Sequence, residues 1–175
     1  MTLLHGEACF GRALPATPLA SSTHQLLFIA YGNTLRRDDG AGLALAEGLQ
    51  SLLCARGHQV QLIAVQQLMP ELALAVADPA VDAVCFFDTA QAELAKGVQI
   101  HMLCQNNTTP VLGHHLIPSA LLLYAQQLYH TCPPAWLVTI PGSDFELGEG
   151  FSETTCKHLS ELTTLARQLE QCFIP

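Results

Sequence analysis

Two adjacent carboxylates, Asp38 and Asp39, stand in the polar stretch Gly32-Asn33-Thr34-Leu35-Arg36-Arg37-Asp38-Asp39-Gly40-Ala41-Gly42, directly after the apolar run from Leu26 to Tyr31. Such a pair attracts a cation and repels phosphate, and the stretch has neither the lysine of a Walker A loop nor the GxGxxG spacing of a dinucleotide site. A third carboxylate, Asp88, closes the nearly continuous apolar run Val81-Asp82-Ala83-Val84-Cys85-Phe86-Phe87. A carboxylate at the end of a buried strand is costly unless it is solvated, paired or bound to a metal, although the same position also suits a helix cap or loop acid. The pair His114-His115 sits between a polar loop and a helix start. There it serves either as one solvent-facing and one backbone-bonded ring or as the source of a metal ligand. Two carboxylates and one imidazole make a three-point site with open positions, compatible with zinc, nickel, iron or manganese. The chain has no HExxH and no GxSxG, so neither zincin chemistry nor a serine nucleophile elbow is available.

The elements that must position these residues follow from periodicity. The first apolar run predicts a strand, and Leu45, Leu49, Leu52 and Leu53 predict a helix from about Gly40 to Ala55, stopped by Gly57. Val60 to Val65 predicts a second strand, followed by a short helix opened by Pro70 and Glu71 and ending near Ala77. The run ending at Asp88 predicts a strand covered on both faces. Val98 to Leu103 predicts another strand, Pro118 opens a helix striped by Leu121, Tyr124 and Leu128, and Ala135 to Ile140 predicts the last strand. Ser152 caps a final helix whose stripe is Leu159, Leu162, Ala166, Leu169 and Phe173. Alternating strands and helices imply an α/β fold, a three-layer αβα sandwich around a mostly parallel twisted sheet of about five strands. In such a sheet the strand-to-helix loops gather at the carboxyl edge, which lets Asp39, Asp88 and the histidine pair share one cleft.

With 175 residues, half of them apolar, the chain supports one domain, read as residues 25–175 after an irregular leader, residues 1–24. A formal charge of −8 has the wrong sign for a nucleic acid or an anionic membrane as partner. Seven widely spaced cysteines without a CxxC pair suggest reduced, buried thiols and a cytoplasmic protein. No run reaches the roughly 18 apolar residues of a membrane span.

Gly32-Asn33-x-Leu35-x-x-Asp38-Asp39-Gly40-x-Gly42 after a first strand resembles the signature of the hydrogenase maturation proteases. These endopeptidases trim the large subunit of nickel-iron hydrogenases. The resemblance extends through the strand-end acid in Phe87-Asp88-Thr89-Ala90, the pattern His114-His115-Leu116-Ile117-Pro118, and Phe145-Glu146-x-Gly148-x-x-x-Ser152. It departs at Gln66-Gln67, where many members carry glycines, and in the doubled histidine. The resemblance implies that Asp39, Asp88 and His114, with His115 as the alternate, contact nickel already installed in the large-subunit precursor. It also implies cleavage of the C-terminal extension that follows. The expected nucleophile is a metal-polarised water, with Asp38 in support. The implied cofactor is nickel presented by the substrate, with no organic cofactor; the implied partner is the precursor, and the protein itself is read as a monomer. A non-catalytic metal-sensing chaperone that binds the same precursor is the alternative.

Overall fold

A computed structural model of the chain describes residues 24–93, 97–103 and 116–173. The leader therefore lies outside the described residues up to position 23, and so do His114 and His115.

The sheet has five strands in the order β2-β1-β3-β5-β4: β1 (Gln25–Tyr31), β2 (Gln59–Val65), β3 (Ala83–Gln91), β4 (Gln99–Leu103) and β5 (Ala135–Gly142). The first, second, third and fifth run parallel, while β4 pairs antiparallel to β5 at one edge. The centre falls on β1 and β3 because their side chains are apolar in both directions. Alternate residues of a strand point to opposite faces. On one face Leu26, Phe28, Ala30, Cys85 and Phe87 meet α1 (Ala41–Ala55) and α5 (Leu162–Phe173). On the other, Leu27, Ile29, Val84 and Phe86 meet α2 (Leu72–Val76) and α3 (Pro118–Tyr129). The three-layer αβα sandwich anticipated from the alternation of elements is the observed architecture.

Two expectations need correction. The predicted single terminal helix is two: α4 (Glu153–Leu159) and α5, separated at Ser160 and Glu161. The Ser160 hydroxyl donates to the Lys157 carbonyl at 2.6 Å, drawing on an acceptor that a continuous helix would use, a local competition serine readily wins. Ser152 does cap α4, accepting from the Thr155 N–H at 3.3 Å. Nor are the cysteines uniformly buried. Among the described residues Cys85 is buried, whereas Cys54 and Cys156 are exposed on helix faces turned from the core. Among the described residues, no helix is long and apolar enough to cross a membrane.

From β1 the chain crosses over α1 to β2 on one side, and then over α2 to β3 on the other side of β1. The chain leaving β1 thus heads for β2 at one edge of the sheet and the chain leaving β3 for β4 at the other, so the two diverge between β1 and β3. The crevice between them is where ligands bind in sheets of this kind.

Candidate functional site

The loop leaving β1 turns sharply at Gly32, whose φ of +147° disfavours a side chain; an added Cβ would fall 2.1 Å from the Asp39 carbonyl oxygen. Asn33 then organises the next turn. Its side-chain oxygen accepts from the Leu35 N–H at 3.0 Å, and its carbonyl accepts from Arg36 at 2.9 Å. A single 3-10 turn, Arg37–Gly40, delivers the two carboxylates and leads into α1. Successive residues of such a turn project about 120° apart. Asp38 and Asp39 therefore serve different partners.

Asp39 turns back toward β1, where its carboxylate accepts from the Asn33 N–H at 2.9 Å. It keeps partial access to solvent. Asp88 ends the buried part of β3 and accepts from the N–H of Thr89 at 2.8 Å. Burial pushes its carboxyl above the usual range, opposed by hydrogen bonds from Tyr31 and Thr89, with the charge of Asp39 adding to the rise. That last influence places the two carboxylates within electrostatic reach of each other across the β1–β3 crevice. Thr89 couples the same two segments mechanically. Its hydroxyl accepts from the Gly42 N–H at 3.1 Å and faces the Asp39 carbonyl at 3.5 Å.

Close approach of α1 to the end of β3 depends on Gly42, because a Cβ there would lie 3.0–3.1 Å from the backbone of Asp88. Gly42→Ala must push backbone from backbone. It should destabilise by about 1–3 kcal/mol, the range of overpacked sites, lowering the thermal midpoint by about 2–4 °C per kcal/mol.

Asp38 points away from this crevice. It is 0% exposed, and its carboxylate accepts from the N–H groups of Ser143 at 2.8 Å, Asp144 at 2.9 Å and Ser152 at 2.7 Å. Burial raises its pKa, but these bonds, led by those from Ser152, outweigh it and hold the carboxyl below the usual range. Around it the β1 loop and the loop after β5 are laced together: Arg37 pairs with Asp144, the Arg36 side chain donates to the Phe145 carbonyl, and the Gly148 N–H donates to Leu35. The support Asp38 gives the site therefore passes through the 143–152 loop.

His114 and His115 cannot be placed, being outside the described residues. The chain resumes at Leu116 and enters α3, which hands over to the amino end of β5 within five residues. The N-terminus of α3 accordingly faces the carboxyl edge of the sheet, on the same face as the side chain of Asp88. Among the described residues no group of three histidine, cysteine, aspartate or glutamate side chains is arranged to hold a metal ion. Asp39 and Asp88 are the two carboxylates that follow β1 and end the buried part of β3 at this edge.

Two carboxylates near one another at a partly dry strand end repel, a cation nearby relieves the repulsion, and oxygen donors of this kind suit a divalent metal. Without one, ionised Asp88 costs stability. Its raised pKa means that the folded state favours the protonated form, so its contribution is full below the unfolded carboxyl pKa of about 3.9 and is lost as pH rises through the folded value. Asp88→Asn should therefore raise the thermal midpoint at neutral pH, by about 2–4 °C for each kcal/mol regained, and the gain should vanish near pH 4.

Two participants were not singled out from the sequence. Tyr31 reads as the last residue of one strand and Thr89 as the residue that follows Asp88 in another; the register of β1 against β3 brings Tyr31 to Asp88, and the Thr89 hydroxyl reaches the Asp39 segment.

No family model and no curated protein matches the chain. Solved structures do share its fold. The NiFe hydrogenase maturation protease HycI from Thermococcus kodakarensis KOD1 superposes with a TM-score of 0.60 at 22% identity, covering 89% of this chain and 96% of that one. HybD from Thermococcus kodakarensis gives 0.58 at 18% identity, covering 83% and 99%. The hydrogenase-maturating endopeptidase HybD from Escherichia coli gives 0.59 at 17%, covering 84% and 93%. The chain has the fold of the hydrogenase maturation proteases.

Proposed function

We propose that this protein is a hydrogenase maturation endopeptidase: it removes the C-terminal extension of a nickel-iron hydrogenase large-subunit precursor once nickel has been inserted. What supports this reading is the placement of Asp39 and Asp88, in this reading a two-carboxylate half-site, at the carboxyl ends of β1 and β3 in a fold shared with proteases of that process. Asp39, Asp88 and His114 contact the nickel that the substrate brings, so that an unloaded precursor lacks the cation these groups need. Within this site the metal supplies Lewis-acid chemistry for peptide hydrolysis. The chain's own residues hold the precursor so that its scissile bond lies beside the half-site, and the attacking group is water. Asp38, by pinning the 143–152 loop, keeps Asp39 at its station.

Mixing the purified protein with nickel-loaded and nickel-free precursor, and weighing the large subunit by mass spectrometry, tests the reading. The loaded subunit should shorten by its C-terminal extension while the unloaded one stays intact. Stable binding of the loaded precursor without any loss of mass would replace the protease with a chaperone.

A further inference from the structure

In β1 the side chain of Tyr31 lies on the face that also carries Leu27 and Ile29 and packs against the buried cluster there. The parallel register runs Leu26 to Ala83 through Ala30 to Phe87, and one step further brings Tyr31 level with Asp88 on the same face. The two side chains are neighbours there, with the Tyr31 hydroxyl within hydrogen-bonding reach of the Asp88 carboxylate. On the other flank of Asp88 the register partner is Thr139 of β5.

A carboxylate offers about four lone-pair directions. The Thr89 N–H takes one at Oδ1, and the Tyr31 hydroxyl takes another. Both donors belong to strands of the central sheet, the most rigid support in the molecule. A free strand-end aspartate would rotate about its side-chain bonds and lose entropy on meeting a cation. One held from two sides has lost it already.

We propose that Tyr31 is a positioning residue for the half-site: its hydroxyl fixes the Asp88 carboxylate so that the remaining lone pairs face Asp39 and the incoming substrate. The inference rests on the function proposed above only for its kinetic arm. Hydrogen-bond partners of metal-contacting groups are worth about 10–100-fold in affinity or activity.

Tyr31→Phe keeps the ring and its packing and removes only the donor. In the precursor assay it should lower kcat by about 10–100-fold with KM little changed, since the bulk of the substrate's contacts lie elsewhere. A second, independent arm is thermal denaturation of wild type, Tyr31→Phe, Asp88→Ala and the double variant. Tyr31→Phe should lower the midpoint by about 2–4 °C in the wild-type background and leave it unchanged, or raise it, when Asp88 is already alanine. Equal effects of Tyr31→Phe in both backgrounds, or wild-type kcat in the single variant, would overturn the assignment. Failure of the wild-type protein to cleave would count against the proposed function instead, leaving the thermal cycle to decide the role of Tyr31.

Discussion

Asp39→Ala, Asp88→Ala and His114→Ala should each lower the rate of precursor processing by about 10²–10³-fold, the scale of removing one group aimed at developing charge. The first two are expected to remain folded. Asp39 and Asp88 are partly exposed, and neither belongs to the two apolar clusters that flank the sheet. Each replacement leaves only one part-buried N–H group without its carboxylate acceptor, against the three that Asp38 holds. Native-like circular dichroism with lost processing is the signature to look for. His115→Ala should process normally if His114 is the contact; the reverse result would exchange the two. Wild-type processing by all three alanine variants would remove the site from the reaction.

One residue earlier, the expected result is the opposite. Asp38→Ala should lower stability by about 3–5 kcal/mol, because it strands three backbone N–H groups, each costing about 1–3 kcal/mol when buried without a partner. Against a total stability of about 5–15 kcal/mol this is severe, and it corresponds to a fall in midpoint of about 6–20 °C. Asp38→Asn retains one acceptor oxygen and should lose less. The pH dependence carries the same signature. The folded pKa of Asp38 is depressed, so its contribution is present above the unfolded carboxyl value of about 3.9 and disappears as pH falls through the folded value. The gap in midpoint between wild type and Asp38→Asn should therefore be full from about pH 4 upward and close below it. A gap independent of pH would mean that the carboxylate's charge contributes nothing to the loop.

That neighbouring acids differ so sharply could not be read from the sequence. The spacing of apolar residues announces β1, α1, β3 and the two strand ends, because burial on both faces leaves long apolar runs that few other structures use. It also places Asp39 and Asp88 at the carboxyl edge. But the direction of Asp38 is set by one 3-10 turn and by partners 105 to 114 positions away in the loop after β5, contacts that leave no local trace. The role of Tyr31 is hidden for a related reason. A tyrosine ending a strand is unremarkable until the neighbouring strand's register sets an aspartate beside it. The break between α4 and α5 was concealed by its own stripe. Leu162, Ala166, Leu169 and Phe173 continue the period begun at Leu159, and the competing Ser160 hydroxyl is a short-range effect that hydrophobic spacing does not encode. His114 rests on its sequence pattern and on the facing of α3.

Together, the two aspartates separate chemistry from scaffold within a single turn of chain. Processing should be sensitive to Asp39 at constant stability, whereas an Asp38 variant should lose stability and, with the loop that Asp38 pins, processing. Exchanging the two phenotypes would show that the turn is oriented otherwise in solution.

The most direct measurement is X-ray absorption at the nickel edge, taken on nickel-loaded precursor alone and in complex with the protein. The complex is best trapped with a precursor whose cleavage site has been altered to resist hydrolysis. Binding should add oxygen and nitrogen neighbours to the nickel, and the added oxygen signal should weaken when the partner carries Asp39→Ala or Asp88→Ala. A nickel shell identical with and without the protein, in a complex shown to be intact, would contradict the claim that these carboxylates read the metal.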